Sequence, residues 1–234
     1  MVIEHGGPPT PPHHQSIPAP YILPMRDFTR NKQPHFQTRN TSSSITILLH
    51  DALTGPQIAE VRKRLTDDLE GIQRDGQPDP ELRLEKARTK NFLYLESLLH
   101  AQSAQSHALA DATAAETVRD YFRKFDGELY RLHACSVMSN HAHVHFDLSP
   151  QFEDGEDDVE WPVDRLVGRL KGGSSFAANA VLGRRGQLWM RGYHDRYVRS
   201  QKHFVWVKSY ILQNPVKAGL VTDWRDHAGT WSAT

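Results

Sequence analysis

The chain has 234 residues, 38% hydrophobic and 24% charged, with a mean hydropathy of −0.61. That is room for one domain of ordinary size plus an extension, and no run approaches the ~20 apolar residues that a bilayer crossing needs. The N-terminus lacks a basic segment leading into an apolar core, so no secretory leader is expected. The single cysteine, Cys135, excludes an internal disulfide or a cysteine-based zinc site and fits a reducing cytoplasm.

Charge is balanced overall, with 28 Lys/Arg against 28 Asp/Glu, but it is unevenly placed. From residue 161 to 234 there are 12 Lys/Arg and 4 Asp/Glu, a net +8, while the first 160 residues carry −8. A segment with that excess suits contact with phosphates, and a solvated basic face is the plain alternative.

In chain order, residues 1–30 come first. Seven of the 14 prolines fall in the first two dozen residues, with histidines among them, and the stretch reads as a disordered arm ahead of a domain spanning 31–234. Ser44–Leu49 reads as a strand, ended by a turn at Asp51–Gly55. Apolar spacing predicts helices over 57–69, 81–99, 113–125 and 163–181, with a break at Gly71–Pro80. Tyr130–Met138 and His141–Leu148 read as two strands joined at Ser139-Asn140 into a hairpin. Six acids between Gln151 and Glu160 mark a solvated loop, and a last helix over 201–213 is expected to stop before Asn214-Pro215. The order predicts an α+β fold, an antiparallel sheet with helices packed mainly on one side.

Two short runs carry the chemistry. In Asn140-His141-Ala142-His143-Val144-His145-Phe146 the three histidines face one way and the apolar residues the other, because side chains alternate along a strand. Adjacent imidazoles are common ligands for divalent metals, although three histidines on a solvated face would be harmless. In Tyr210-Ile211-Leu212-Gln213-Asn214, Tyr210 and Asn214 are one helical turn apart and share a face, where a tyrosine could equally pack into the core.

Together with Met138, Leu170-Lys171-Gly172, Trp189, Tyr193–Arg199 and Asn214-Pro215-Val216-Lys217-Ala218-Gly219-Leu220-Val221, these runs resemble the REP-associated tyrosine transposases, single-tyrosine members of the HUH endonuclease superfamily. The resemblance extends from about Arg30 to the C-terminus. It departs at Ser139, where the family has proline, and at His145, Met190 and Leu48. It implies a palm-like HUH sheet and a DNA nickase and strand transferase acting on single-stranded, hairpin-forming repeats. Tyr210 would be the nucleophile that forms a 5′-phosphotyrosine. His141, His143 and Asn214 would hold magnesium or manganese, and the chain would act as a monomer or homodimer. Lys171, Arg191, Arg196 and Lys217 are candidate phosphate contacts, and Trp189 and Tyr193 candidate base-stacking residues. His145 is read as structural. The alternatives are a hairpin-binding module that does not cut, and a metal-dependent hydrolase in which the tyrosine has no part.

Overall fold

The strand with alternating histidines, β3 (His141–Asp147), lies at the centre of the architecture. Its histidine and apolar sets are buried alike, so both faces of the sheet are covered there. The structure is a computed structural model and describes residues 42–101, 106–152, 160–198 and 200–233. The proline-rich arm and most of the acidic Gln151–Glu160 run lie outside those residues.

Around β3 stand β1 (Ser42–Leu48) and β2 (Arg131–Val137), with β4 (His194–Val198) and β5 (Thr230–Ser232) at the edges, in the order β4-β1-β3-β2-β5. Every neighbouring pair is antiparallel. The expected hairpin is present: β2 and β3 meet through Ser139-Asn140, with Met138 N–H donating to His141 C=O at 2.8 Å. The edge strands β4 and β5 were not anticipated. β4 spells His-Asp-Arg-Tyr-Val, with too little apolar alternation to read as a strand, and β5 has only three residues.

The helices are α1 (Gly55–Asp75), α2 (Pro80–His100), α3 (Ala112–Arg123), α4 (Val163–Val181) and α5 (Gln201–Lys217). A capping box between Thr54 and Gln57 starts α1, and Gly76 in the left-handed region (φ 60°) ends it. The helix therefore runs through Gly71 instead of breaking there; one interior glycine costs about 1 kcal/mol, too little to stop a long capped helix. α5 likewise does not stop at Gln213. Pro215 sits in its final turn, and the helix ends where Gly219 (φ 70°) and Leu220 donate back to the carbonyls of Val216 and Pro215, a Schellman pattern. The bias that proline imposes on the residue before it is overridden by Asn214, which is fully buried and hydrogen-bonded on both sides.

α3 and α4 pack on the apolar face, where Val118, Phe122, Leu166 and Leu170 join Ile45, Ile47, Val144 and Phe146 in the main core. At their crossing a Cβ on Gly173 would lie 1.8 Å from the Tyr121 hydroxyl, so only glycine allows this approach. α5 lies on the histidine face, burying Val207, Ile211 and Leu212 against Ala134 and Val198. The C-terminal half of α2 reaches the same face. The histidines are thus walled in by helices instead of meeting solvent. No helix of the described residues is long and apolar enough to cross a membrane.

Candidate active site

Because β3 alternates, His141 and His143 project side by side, with ring centroids 4.7 Å apart. Each has its Nδ1 engaged. His141 Nδ1 is 2.7 Å from Asn140 Oδ1, and His143 Nδ1 is 2.9 Å from Thr46 Oγ1 on β1. Asn140 is itself fixed, its amide donating to the Leu99 carbonyl at 2.7 Å. The two Nε2 atoms therefore turn toward each other and lie 3.1 Å apart. Partners on Nδ1 that orient the rings and leave Nε2 for an ion are the usual support of metal-binding histidines.

Glu96, from α2, closes the cluster. Its Oε2 is 3.3 Å from His143 Nε2 and 4.0 Å from His141 Nε2, and its Oε1 is buried with no hydrogen-bond partner. Among the described residues, Glu96, His141 and His143 form the one group of three His, Cys, Asp or Glu side chains whose ligand atoms converge closely enough to hold a metal ion. The donor set fits such an ion. Two nitrogens 3.1 Å apart subtend roughly 95° at an ion about 2.1 Å from each, close to octahedral coordination. The orphaned carboxylate oxygen supplies a negative donor where an unpaired buried atom would otherwise be costly.

Tyr210 enters from α5. Its hydroxyl donates to Glu96 Oε2 at 2.7 Å, and its ring packs against Phe92 and His143. One turn on, Asn214 Nδ2 is 2.9 Å from His143 Nε2, while its Oδ1 is 2.8 Å from His100 Nε2. In this orientation the amide faces the imidazole with its nitrogen; a half-turn about its last bond exchanges the two ends. His141, His143, Tyr210 and Asn214 are thereby brought into one cluster.

Burial pushes His141 down to about 3, against the pull of Glu96, so the imidazole is neutral and ready to ligate at ordinary pH. Burial would raise the Glu96 carboxyl, but His143, His141 and the Tyr210 hydroxyl outweigh it and hold the group below its usual range. Tyr210 is pushed well above the ordinary tyrosine value, first by burial and then by the Glu96 charge.

The candidate phosphate contacts divide. The Lys217 ammonium lies 4.6 Å from the centroid of the Tyr210 ring. Arg196, on β4, donates to Thr89 Oγ1 at 2.5 Å and lies over Trp206, which stacks on Tyr210. Lys171 is instead a tether: its ammonium donates to the carbonyls of Met190 and Gly192 at 2.5 and 2.6 Å, and burial pushes it down to about 8. Arg191 is exposed on the turn before β4. His145 bonds Ser42 Oγ at 2.9 Å and packs on His133 and Phe204, outside the cluster. Trp189 and Tyr193 are not available to stack a base. Both are buried, with Trp189 donating to Ser174 Oγ at 2.9 Å and the Tyr193 hydroxyl donating to Asp164.

Glu96 is absent from the sequence expectation. The available signal was a carboxylate on the inward stripe of α2, between Phe92 and Leu99, but it needed the pairing of α2 with β3 to mean anything.

No family model matches the chain, and neither does any curated protein. One solved structure, described as that of a REP-associated tyrosine transposase bound to a REP hairpin, aligns over 84% of this chain and 79% of its own, at 15% identity and a TM-score of 0.38.

Proposed function

We propose that the chain is a metal-dependent single-stranded DNA endonuclease and strand transferase of the single-tyrosine HUH type, acting at hairpin-forming repeats. One observation carries this reading: the Tyr210 hydroxyl and the His141–His143 pair share a single carboxylate, Glu96.

Phosphodiester cleavage needs a nucleophile in line with the leaving oxygen and positive charge on the non-bridging oxygens. A divalent cation held by His141, His143 and Glu96, with the Asn214 amide adjacent, would polarise the scissile phosphate and offset the Glu96 charge. Two imidazoles and a carboxylate suit manganese, with magnesium the harder alternative.

The rest falls to the chain's own groups. Glu96 Oε2 holds the phenol proton and is the acceptor in place to take it as the Tyr210 oxygen attacks phosphorus. That attack breaks the bond to the 3′ oxygen, which leaves and takes the proton that Glu96 accepted, giving a 3′-hydroxyl, while Tyr210 keeps the 5′-phosphate. The phosphotyrosine conserves the bond for transfer to a second 3′-hydroxyl without a nucleotide cofactor. Lys217, over the Tyr210 ring, favours the developing phenolate.

The test is to incubate purified protein and Mn²⁺ with a labelled hairpin DNA carrying a single-stranded flank, then denature. A cutting enzyme leaves a denaturant-resistant protein–DNA adduct that Tyr210→Phe abolishes while hairpin binding persists. Binding without any adduct in the unmodified protein would identify a non-cutting hairpin binder. Turnover that survives Tyr210→Phe would identify a metal-dependent hydrolase.

A further inference from the structure

An indole is usually drawn into a core, as Trp189 is at 4% exposed. Trp206 is 43% exposed and lies one turn before Tyr210 on α5, with the two rings nearly parallel, their centroids 5.4 Å and their planes 21° apart. The geometry around it is held. The Arg196 guanidinium sits 5.4 Å from the indole centroid and is anchored on α2 through Thr89, and His203 packs 6.1 Å away. Beside it Val205 is 57% exposed. α5 itself carries Lys202, Lys208 and Lys217 and no acidic residue. The result is a ring fixed against the candidate nucleophile and open to solvent, with Lys202 one turn before it on the same helix.

We propose that Trp206 is a base-stacking platform for the unpaired nucleotide next to the scissile phosphate, an inference that rests on the nuclease reading above. The chemistry matches at each point. An unpaired base offers a π-face that extends the Trp206–Tyr210 stack, and its phosphates meet Lys202 and Lys217. A strand laid along α5 then runs from Lys202 past Trp206 to Tyr210, which sets the distance between the stacked base and the bond to be cut. The ring is braced before the strand arrives, so little conformational freedom is lost on binding. An apolar protein partner would be a poorer match for an indole on a helix that carries three lysines and no acidic residue.

The experiment measures equilibrium binding of labelled oligothymidine, without divalent metal, to the full chain, Trp206→Ala and Trp206→Phe, with thermal midpoints and solution masses of all three. The alanine variant is expected to bind about ten-fold more weakly, the scale of one lost base–aromatic stack, with phenylalanine recovering most of the loss. A blunt hairpin stem with no unpaired flank is expected to bind all three alike. Equal affinity of Trp206→Ala for oligothymidine overturns the platform, and if the parent protein still forms the phosphotyrosine adduct the nuclease reading stands without it. A change of solution mass in Trp206→Ala also overturns it, assigning the indole to a contact between copies of the chain. Loss of single-strand affinity in a protein that forms no adduct keeps the platform and removes the nuclease.

Discussion

Replacing Glu96 with glutamine preserves the side chain's shape and removes the only anionic donor of the metal cluster. In the parent protein, Mn²⁺ at one hundred times its dissociation constant is expected to stabilise the fold by about 2.7 kcal/mol, the effect of an ion that binds the folded chain alone. For a chain of this size that corresponds to a rise of roughly 5–11 °C in the thermal midpoint. The other donors of the cluster are two imidazoles whose Nε2 atoms are 3.1 Å apart, so no second carboxylate replaces the one removed. Loss of that charge is expected to weaken Mn²⁺ on the order of a hundred-fold, about 2.7 kcal/mol. At the same concentration the ion then sits near its new dissociation constant and contributes only about 0.4 kcal/mol, a shift of 1–2 °C. The assay is thermal unfolding by circular dichroism after chelation and Mn²⁺ back-titration, which needs neither DNA nor turnover. A full-sized Mn²⁺ shift in Glu96→Gln would refute the assignment of the carboxylate as a ligand, and with it the role of the cluster.

Acid is expected to unfold the chain in a window set by its buried histidines. Burial pushes His141 and His145 down to about 3 and His194 to about 4, so the unfolded chain takes up their protons first as pH falls below its ordinary ~6.5. The stabilisation is complete above that value and is lost toward lower pH, together up to about 4 kcal/mol per unit between pH 6 and 4; an unchanged urea midpoint from pH 7 to 5 would contradict it. Lys171→Met is expected to destabilise the DNA-free protein by about 1–3 kcal/mol, since it removes the tether between α4 and the loop before β4; a variant with normal stability and weaker DNA binding would return Lys171 to the phosphate contacts. Gly173→Ala drives a Cβ into Tyr121, and a loss of about 1–3 kcal/mol in thermal unfolding is expected, relieved by adding Tyr121→Ala.

What could be read from the sequence followed local rules. Alternation in His141–Phe146 gave a strand with its histidines on one face, the two-residue turn gave the hairpin, and α4 begins and ends where its apolar spacing does. The errors came from long-range contacts overriding local ones. α5 crosses Pro215 because Asn214 is held by His100 and His143, residues 114 and 71 positions away. β4 becomes a strand by pairing with β1, its own pattern being too polar to announce it. The same limit applies at the site. His141 and His143 declare themselves by spacing, whereas Glu96 reads as one more charge on a helix until α2 is docked over β3. Trp189 and Trp206 are indistinguishable as letters, and only packing separates the core indole from the exposed one.

The candidate metal donors come from α2 and β3, and the phenol from α5. No single stretch supplies all three donors, so an ion could be held only where α2 is docked on the sheet. The Tyr210 hydroxyl joins from a third element, α5, the last long helix among the described residues. On the nuclease reading proposed above, a copy cut short before α5 would lack the nucleophile and leave DNA intact.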